Sequence, residues 1–262
     1  MALKLFMLYM FVCLGCGQND IYPAGPVKVN AQPILQPSVN VNPFTSIHEI
    51  PLPGGFTKVK TNRNSFAEWL RSIPLKKDKT VFKFDGRPKA NQSAQFAILD
   101  ISVGTKDLQQ CADAVMRLRA EYLLATKQSA AIHFKDNDGR VYQFDEPYTH
   151  RNLHRYLQRV FAKCGSASLS KQLASIPVAS IEPGDVFIRG GFPGHAVIVM
   201  DVAVSKAGNK IYLLAQSYMP AQDIHVLVNP TDKTLSPWYE VTKDDLVQTP
   251  EYTFRNSELK GW

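Results

Sequence analysis

Three residues have the types and the order for acyl chemistry through sulfur: Cys111, His195 and Gln216. Cys111 stands near the start of "TKDLQQCADAVMRLRAEYLLATKQ", where Leu108, Cys111, Val115, Leu118 and Tyr122 recur at three- and four-residue steps. That spacing predicts a long helix. A helix N-terminus favours a thiolate, because its free N–H groups and aligned dipoles stabilise negative charge. His195 follows the turn "GGFPG" and opens the apolar run "HAVIVMDVAV". A histidine on the lip of a strand combines a near-neutral pKa with a rigid mount, which is what a general base needs. Gln216 ends the apolar part of "KIYLLAQSYMPAQ", on the next predicted strand. From there its amide oxygen is placed to accept from the imidazole and fix its tautomer. Cysteine, histidine and orienting amide form a nucleophile–base–third-residue set, and backbone N–H groups around Cys111 are candidates for an oxyanion site. There is no "GxSxG" serine elbow.

Each of the three residues has a plainer reading beside it. Cys111 lies on the apolar stripe of its helix, as a small buried hydrophobe would. It could also pair with Cys164 in an oxidising compartment. His195 and Gln216 would then be structurally bonded groups. His150 and His154 have the i, i+4 spacing of zinc ligands, but residue 151 is Arg, so they are read as surface histidines. Asp113, Arg117 and Glu121 form an i, i+4 ladder, read as a solvated face rather than the lining of a cleft. Tyr218, Met219 and Pro220, with Trp238 and Tyr239, are read as loop packing.

The elements that must hold these residues follow from periodicity. "NSFAEWLRSIPL" predicts a short helix capped by Ser65 and ended by Pro74. "TVFKFDG" alternates as a strand, and "AQFAILDISVG" reads as a strand buried on both faces. The long helix is expected to be capped by Thr105 or Asp107. "AIHFKDNDGRVYQF" carries a hairpin signal, and "HRNLHRYLQRVFAKCG" an amphipathic helix stopped by Gly165. Strands over "DVFIRG", "HAVIVMDVAV", "KIYLLAQSY" and "DIHVLV" complete the chain, with His195, Val197, Val199 and Asp201 expected on one face. The plan is α+β, a central helix on a mostly antiparallel sheet.

The chain of 262 residues is 45% hydrophobic, enough for a full core. It opens on "MALKLFMLYMFVCLGC", one lysine and an apolar run from Leu5 to Val12. That run has the shape of a secretory signal and is short for a membrane span. The ending "CLGC" resembles a bacterial lipobox, which makes Cys16 the lipid-modified residue, residues 1–16 a lipoprotein signal and the protein anchored rather than spanning. Residues 17–47, with five prolines, read as a tether, and residues 48–262 as a single domain with an N-terminal extension over about 48–100. The net charge of +7 is scattered, without a basic run interleaved with aromatics, which argues against nucleic acid as a partner. An exported basic protein instead meets anionic lipid or cell-wall polymer. No cofactor motif is present.

The segments "CADAVMRLRAEYL", "PGDVFIRGGFPGHAVIVMDVA" and "LLAQSYMPAQDIH" resemble an uncharacterised family of Bacteroidetes-type lipoproteins, over most of residues 48–255. A more distant resemblance is to NlpC-type and CHAP-type peptidases and amidases. It implies a papain-like fold, with Cys111 as nucleophile, His195 as base and Gln216 as third member. The same resemblance implies cleavage of an amide in cell-wall peptide, in the periplasm or at the cell surface. The alternative is a lipoprotein on the same scaffold that binds cell-wall peptide or glycan without cutting it.

Overall fold

A computed structural model describes residues 41–262. Within them, α1 spans Phe66–Ser72, α2 Cys111–Ala125, α3 His150–Phe161 and α4 Ser166–Gln172. The strands are β1 Phe56–Lys58, β2 Gln95–Ile98, β3 His133–Lys135, β4 Val141–Gln143, β5 Ala174–Ser175, β6 Val186–Arg189 and β7 His195–Ser205. They continue as β8 Lys210–Gln216, β9 His225–Leu227, β10 Trp238–Glu240, β11 Leu246–Gln248, β12 Thr253–Arg255 and β13 Leu259–Gly261. The fold is α+β. Nine strands form one sheet in the order β2-β9-β8-β7-β6-β13-β5, with β1 also on β7 and β10 on β8. Every pairing is antiparallel.

The sheet is covered on both faces, and the alternation of β7 divides the core accordingly. Ala196, Ile198 and Met200 face α2, together with Val115, Met116 and Leu118. Val197 and Val199 face the other way, with Phe187, Tyr212, Leu214 and the β11–β12 hairpin residues Val247 and Phe254. α2 sits between this sheet and α3, so it is buried on nearly every side, including Asp113 and Arg117. The Asp113–Arg117–Glu121 ladder is therefore an internal feature, not a solvated face.

A register shift between Val199 and Asp201 marks a bulge in β7. One extra residue reverses the alternation, so Asp201 leaves the face of His195, Val197 and Val199 and joins the α2 side. There it is wholly buried, and Arg71 of α1 donates to its Oδ1 from Nε at 2.8 Å and Nη2 at 2.6 Å. Lys58 Nζ lies 3.1 Å from Oδ2. The pair ties α1 and β1 to the strand that carries His195.

Several local expectations change for physical reasons. Ser65 does cap α1, accepting from the Glu68 N–H. α2 begins at Cys111 behind Gln110, whose N–H donates to Asp113 Oδ2 at 3.0 Å, while Asp107 is drawn off to accept from the Ala221 N–H at 2.7 Å. Gly165 stops no helix; it is the N-cap residue of α4, an element too short for a clear period. Residues 80–86 make only isolated bridges, at Phe82 and Lys83. β2 takes only Gln95–Ile98 of the predicted strand and lies at the sheet edge on β9, with Ala97 and Ile98 buried and Gln95 and Phe96 half-buried. Trp238 and Tyr239 are not loop residues but lie on β10, buried against β8. Residues 41–47 already pack on the domain: Phe44 stacks on Phe96 and Ile47 is fully buried. The leader, Cys16 and the tether up to residue 40 lie outside the described residues.

Asp201→Ala leaves the Arg71 guanidinium buried without its acceptor. We expect a loss of about 3 kcal/mol in urea-unfolding stability, in the range for one partner removed from a buried pair. A loss below about 1 kcal/mol would show that the pair does not secure β7.

Candidate active site

Two elements meet at the end of the sheet. The pairing of β7 with β8 runs only to Ile198 opposite Ala215. Beyond that point the N-terminus of α2 abuts the strands. Ser217 Oγ lies 2.9 Å from the Gln109 carbonyl and Asp107 holds the Ala221 N–H, so the approach to Cys111 is tied to the turn after Gln216.

The turn before His195 is shaped by close packing. Gly191 has φ +119°, a left-handed backbone that favours glycine. A Cβ on Gly194 would sit 2.4 Å from Ser166 Oγ and 2.4 Å from the Gly191 carbonyl, so glycine is required for this turn to pass α4. His195 therefore enters β7 from a constrained position.

His195 is 3% exposed. Its ring lies on the face away from α2, between Tyr218 at 4.8 Å and Tyr252 at 5.0 Å between ring centroids, with Phe254 at 5.8 Å. Tyr252 is in turn held by Arg189, whose guanidinium lies 5.4 Å from its ring centroid. His195 Nε2 is 2.8 Å from Gln216 Oε1. The protons follow from the acceptors behind. Gln216 Nε2 donates to Glu251 Oε2 at 2.8 Å and lies 3.4 Å from His225 Nε2. A carboxylate only accepts, so the amide nitrogen must face Glu251 and the amide oxygen must face His195. His195 then carries its proton on Nε2, leaving Nδ1 as a free base. His225 is consistent with this, since its Nδ1 donates to the Asp223 carbonyl at 2.9 Å and leaves Nε2 to accept. Lys89 Nζ closes the chain at 2.5 Å from Glu251 Oε2. Burial pushes His195 and His225 each down to about 4.

Cys111 is the first residue of α2 and is partly exposed. Its sulfur adjoins the N–H groups of Ala112, Ala196 and Cys111 itself, which favour the thiolate. Burial, followed by the charge of Asp113, outweighs them and pushes the thiol up to about 11. No hydrogen bond joins Cys111 to His195 among the described residues. The structure thus brings His195 and Gln216 into contact and sets Cys111 beside the adjoining residue Ala196. Both Cys111 and Cys164 are free thiols. Glu251, Lys89 and His225 belong to the same network and carry no local sequence signal. Among the described residues no group of acidic, cysteine or histidine side chains is arranged to hold a metal, and no helix is long and apolar enough to cross a membrane.

Both buried histidines resist protonation when folded but accept protons near pH 6.5 when unfolded. The unfolded state then binds more protons, so each contributes stability above about pH 6.5 that is lost as pH falls towards 4. Asp185, raised to about 6 by burial, works in the opposite sense. The test is therefore a difference: His225→Gln should remove on the order of 3 kcal/mol of the stability change between pH 7 and pH 4. An unchanged pH profile from urea titrations would contradict the buried neutral imidazole.

The geometry can be set against known proteins. No match is found among curated proteins or among solved structures. The family described as Domain of unknown function (4846) matches residues 47–149 and 141–261. Both matched stretches supply strands to the one sheet. The chain belongs to this family.

Proposed function

We propose that the domain is a cell-envelope cysteine hydrolase of amide bonds, on a papain-like variation of the α+β plan. The observation that carries the reading is the His195–Gln216–Glu251 chain, which leaves His195 Nδ1 as a free base one residue before Ala196, whose N–H adjoins the Cys111 sulfur; the imidazole must turn from the face away from α2 to reach that sulfur. Because the thiol is held up at about 11 and the imidazole down at about 4, the resting pair is neutral. His195 therefore acts as a general base during attack and not as half of a standing ion pair.

In the reaction, the Cys111 sulfur bonds to the substrate carbonyl carbon as its proton passes to His195 Nδ1. The charge on the imidazolium is met by the Gln216 amide oxygen, backed by Glu251. The C–N bond then breaks and the amine leaves with the proton from His195. Water, deprotonated by His195, attacks the thioester and releases the acid and the free thiol. Substrate must first part Tyr218 and Tyr252 from the imidazole. Phe192, 96% exposed in the turn before His195, and Met219, 62% exposed in the turn after Gln216, supply an apolar rim for it. A cell-wall peptide is the substrate in this proposal, with the domain tethered through a lipid on Cys16.

A binding protein on the same scaffold is favoured by one observation, the near-complete burial of His195 beneath two tyrosines. Incubation with cell-wall muropeptides and mass spectrometry of the intact protein separates the two. The hydrolase reading expects a covalent adduct on Cys111, absent in Cys111→Ala and slowed roughly a hundredfold or more in His195→Ala. Binding without adduct or cleavage, equal in wild type and Cys111→Ala, would establish the non-catalytic reading instead.

A further inference from the structure

On the side of α2 facing α3, Arg117 is only 8% exposed. Its Nε donates to Glu121 Oε1 at 2.7 Å, and its Nη1 to the Ser102 carbonyl at 2.5 Å and to Gln109 Oε1. Nη2 makes no hydrogen bond among the described residues. A guanidinium only donates, so Gln109 must turn its oxygen towards Arg117 and its Nε2 away. That Nε2 is buried without any partner, in a residue 2% exposed. No water-sized group reaches it, so Gln109 acts here through its oxygen, which holds Arg117 Nη1 and leaves Nη2, unpartnered among the described residues, as the spare donor of a guanidinium that is itself nearly buried.

Arg117 and Gln109 line one cavity of about 90 Å³, with Lys106, His154, Gln158 and residues 102–105. That is room for a few waters or for a carboxylate group. Lys106 Nζ gives one hydrogen bond to Gln158 Oε1 at 3.0 Å and keeps donors to spare. Lys106 and Arg117 against Glu121 leave a single positive charge, which matches a monoanion.

We propose that this cavity binds a carboxylate, received by Arg117 Nη2 and Lys106 Nζ, with Gln109 bracing the guanidinium. The site stands whether or not Cys111 is a nucleophile. It shares Lys106 and Gln158 with a broad groove that carries Arg140, Arg155, Arg159 and Lys163 against Asp145 and Glu146. A peptide ending in a free carboxylate would thus have a basic path to the pocket, beside the simpler case of a free small acid.

NMR titration of the folded protein tests this, using the Gln109 side-chain amide and the backbone amides of Gly104 and Lys106 as reporters. Acetate and N-acetyl-dialanine are added, with N-acetyl-dialanine amide as the uncharged control. We expect saturable shifts at these reporters with the two acids and none with the amide. The tighter of the two acids identifies the source of the carboxylate. In Lys106→Glu, an exposed change that leaves the core intact, binding should weaken roughly tenfold. Absent or non-saturable shifts, equal shifts with the amide, or unweakened binding in Lys106→Glu would each overturn the site.

Discussion

Glu251 accepts hydrogen bonds and gives none, and that one-way character is passed along the end of the sheet. It turns the Gln216 amide, the amide turns the imidazole, and His195 is left with its basic nitrogen free. Lys89 compensates the half-buried carboxylate, and His225 takes up the remaining amide donor. Removing Glu251 would free Gln216 to flip and would erase the distinction between the two ring nitrogens. The sheet is built so that this chain of groups lies on one face, closed over by Tyr218, Tyr252 and the β11–β12 hairpin.

Across the strand end the opposing influences are on Cys111. Helix-terminal N–H groups favour sulfur as an anion, while burial and the nearby Asp113 favour it as a thiol, and the latter pair prevails. The same burial lowers His195. Both groups are therefore uncharged in the closed protein, and water or substrate entering beneath the tyrosines would move His195 towards its ordinary value. The aromatic cover sets the protonation of the site as well as its access.

The long helix and the strands after residue 185 were legible because their apolar residues recur over many turns or alternations. The contact of His195 with Gln216 was legible too, since both end long strands that must pair. Glu251 and Lys89 were not, because they reach Gln216 from distant loops with no periodic pattern around them. Period-two counting puts Asp201 on the His195 face, and the bulge that moves it to the other face leaves no mark in residue types. Arg117 was read as solvated from its charge. It is buried because α2 is enclosed by sheet and helices, which its own sequence does not reveal. Gly165 does not mark the end of α3 for a related reason: a glycine serves equally as a stop and as the start of a short helix such as α4.

The central claim is that the Glu251 carboxylate dictates the tautomer of His195. Nitrogen-15 NMR of the imidazole reads this directly. The account predicts a neutral ring protonated on Nε2, staying neutral as pH falls to about 4. In Glu251→Gln the preference for that tautomer should be lost. A ring protonated on Nδ1, or one that titrates near its ordinary pKa of about 6.5, would contradict it.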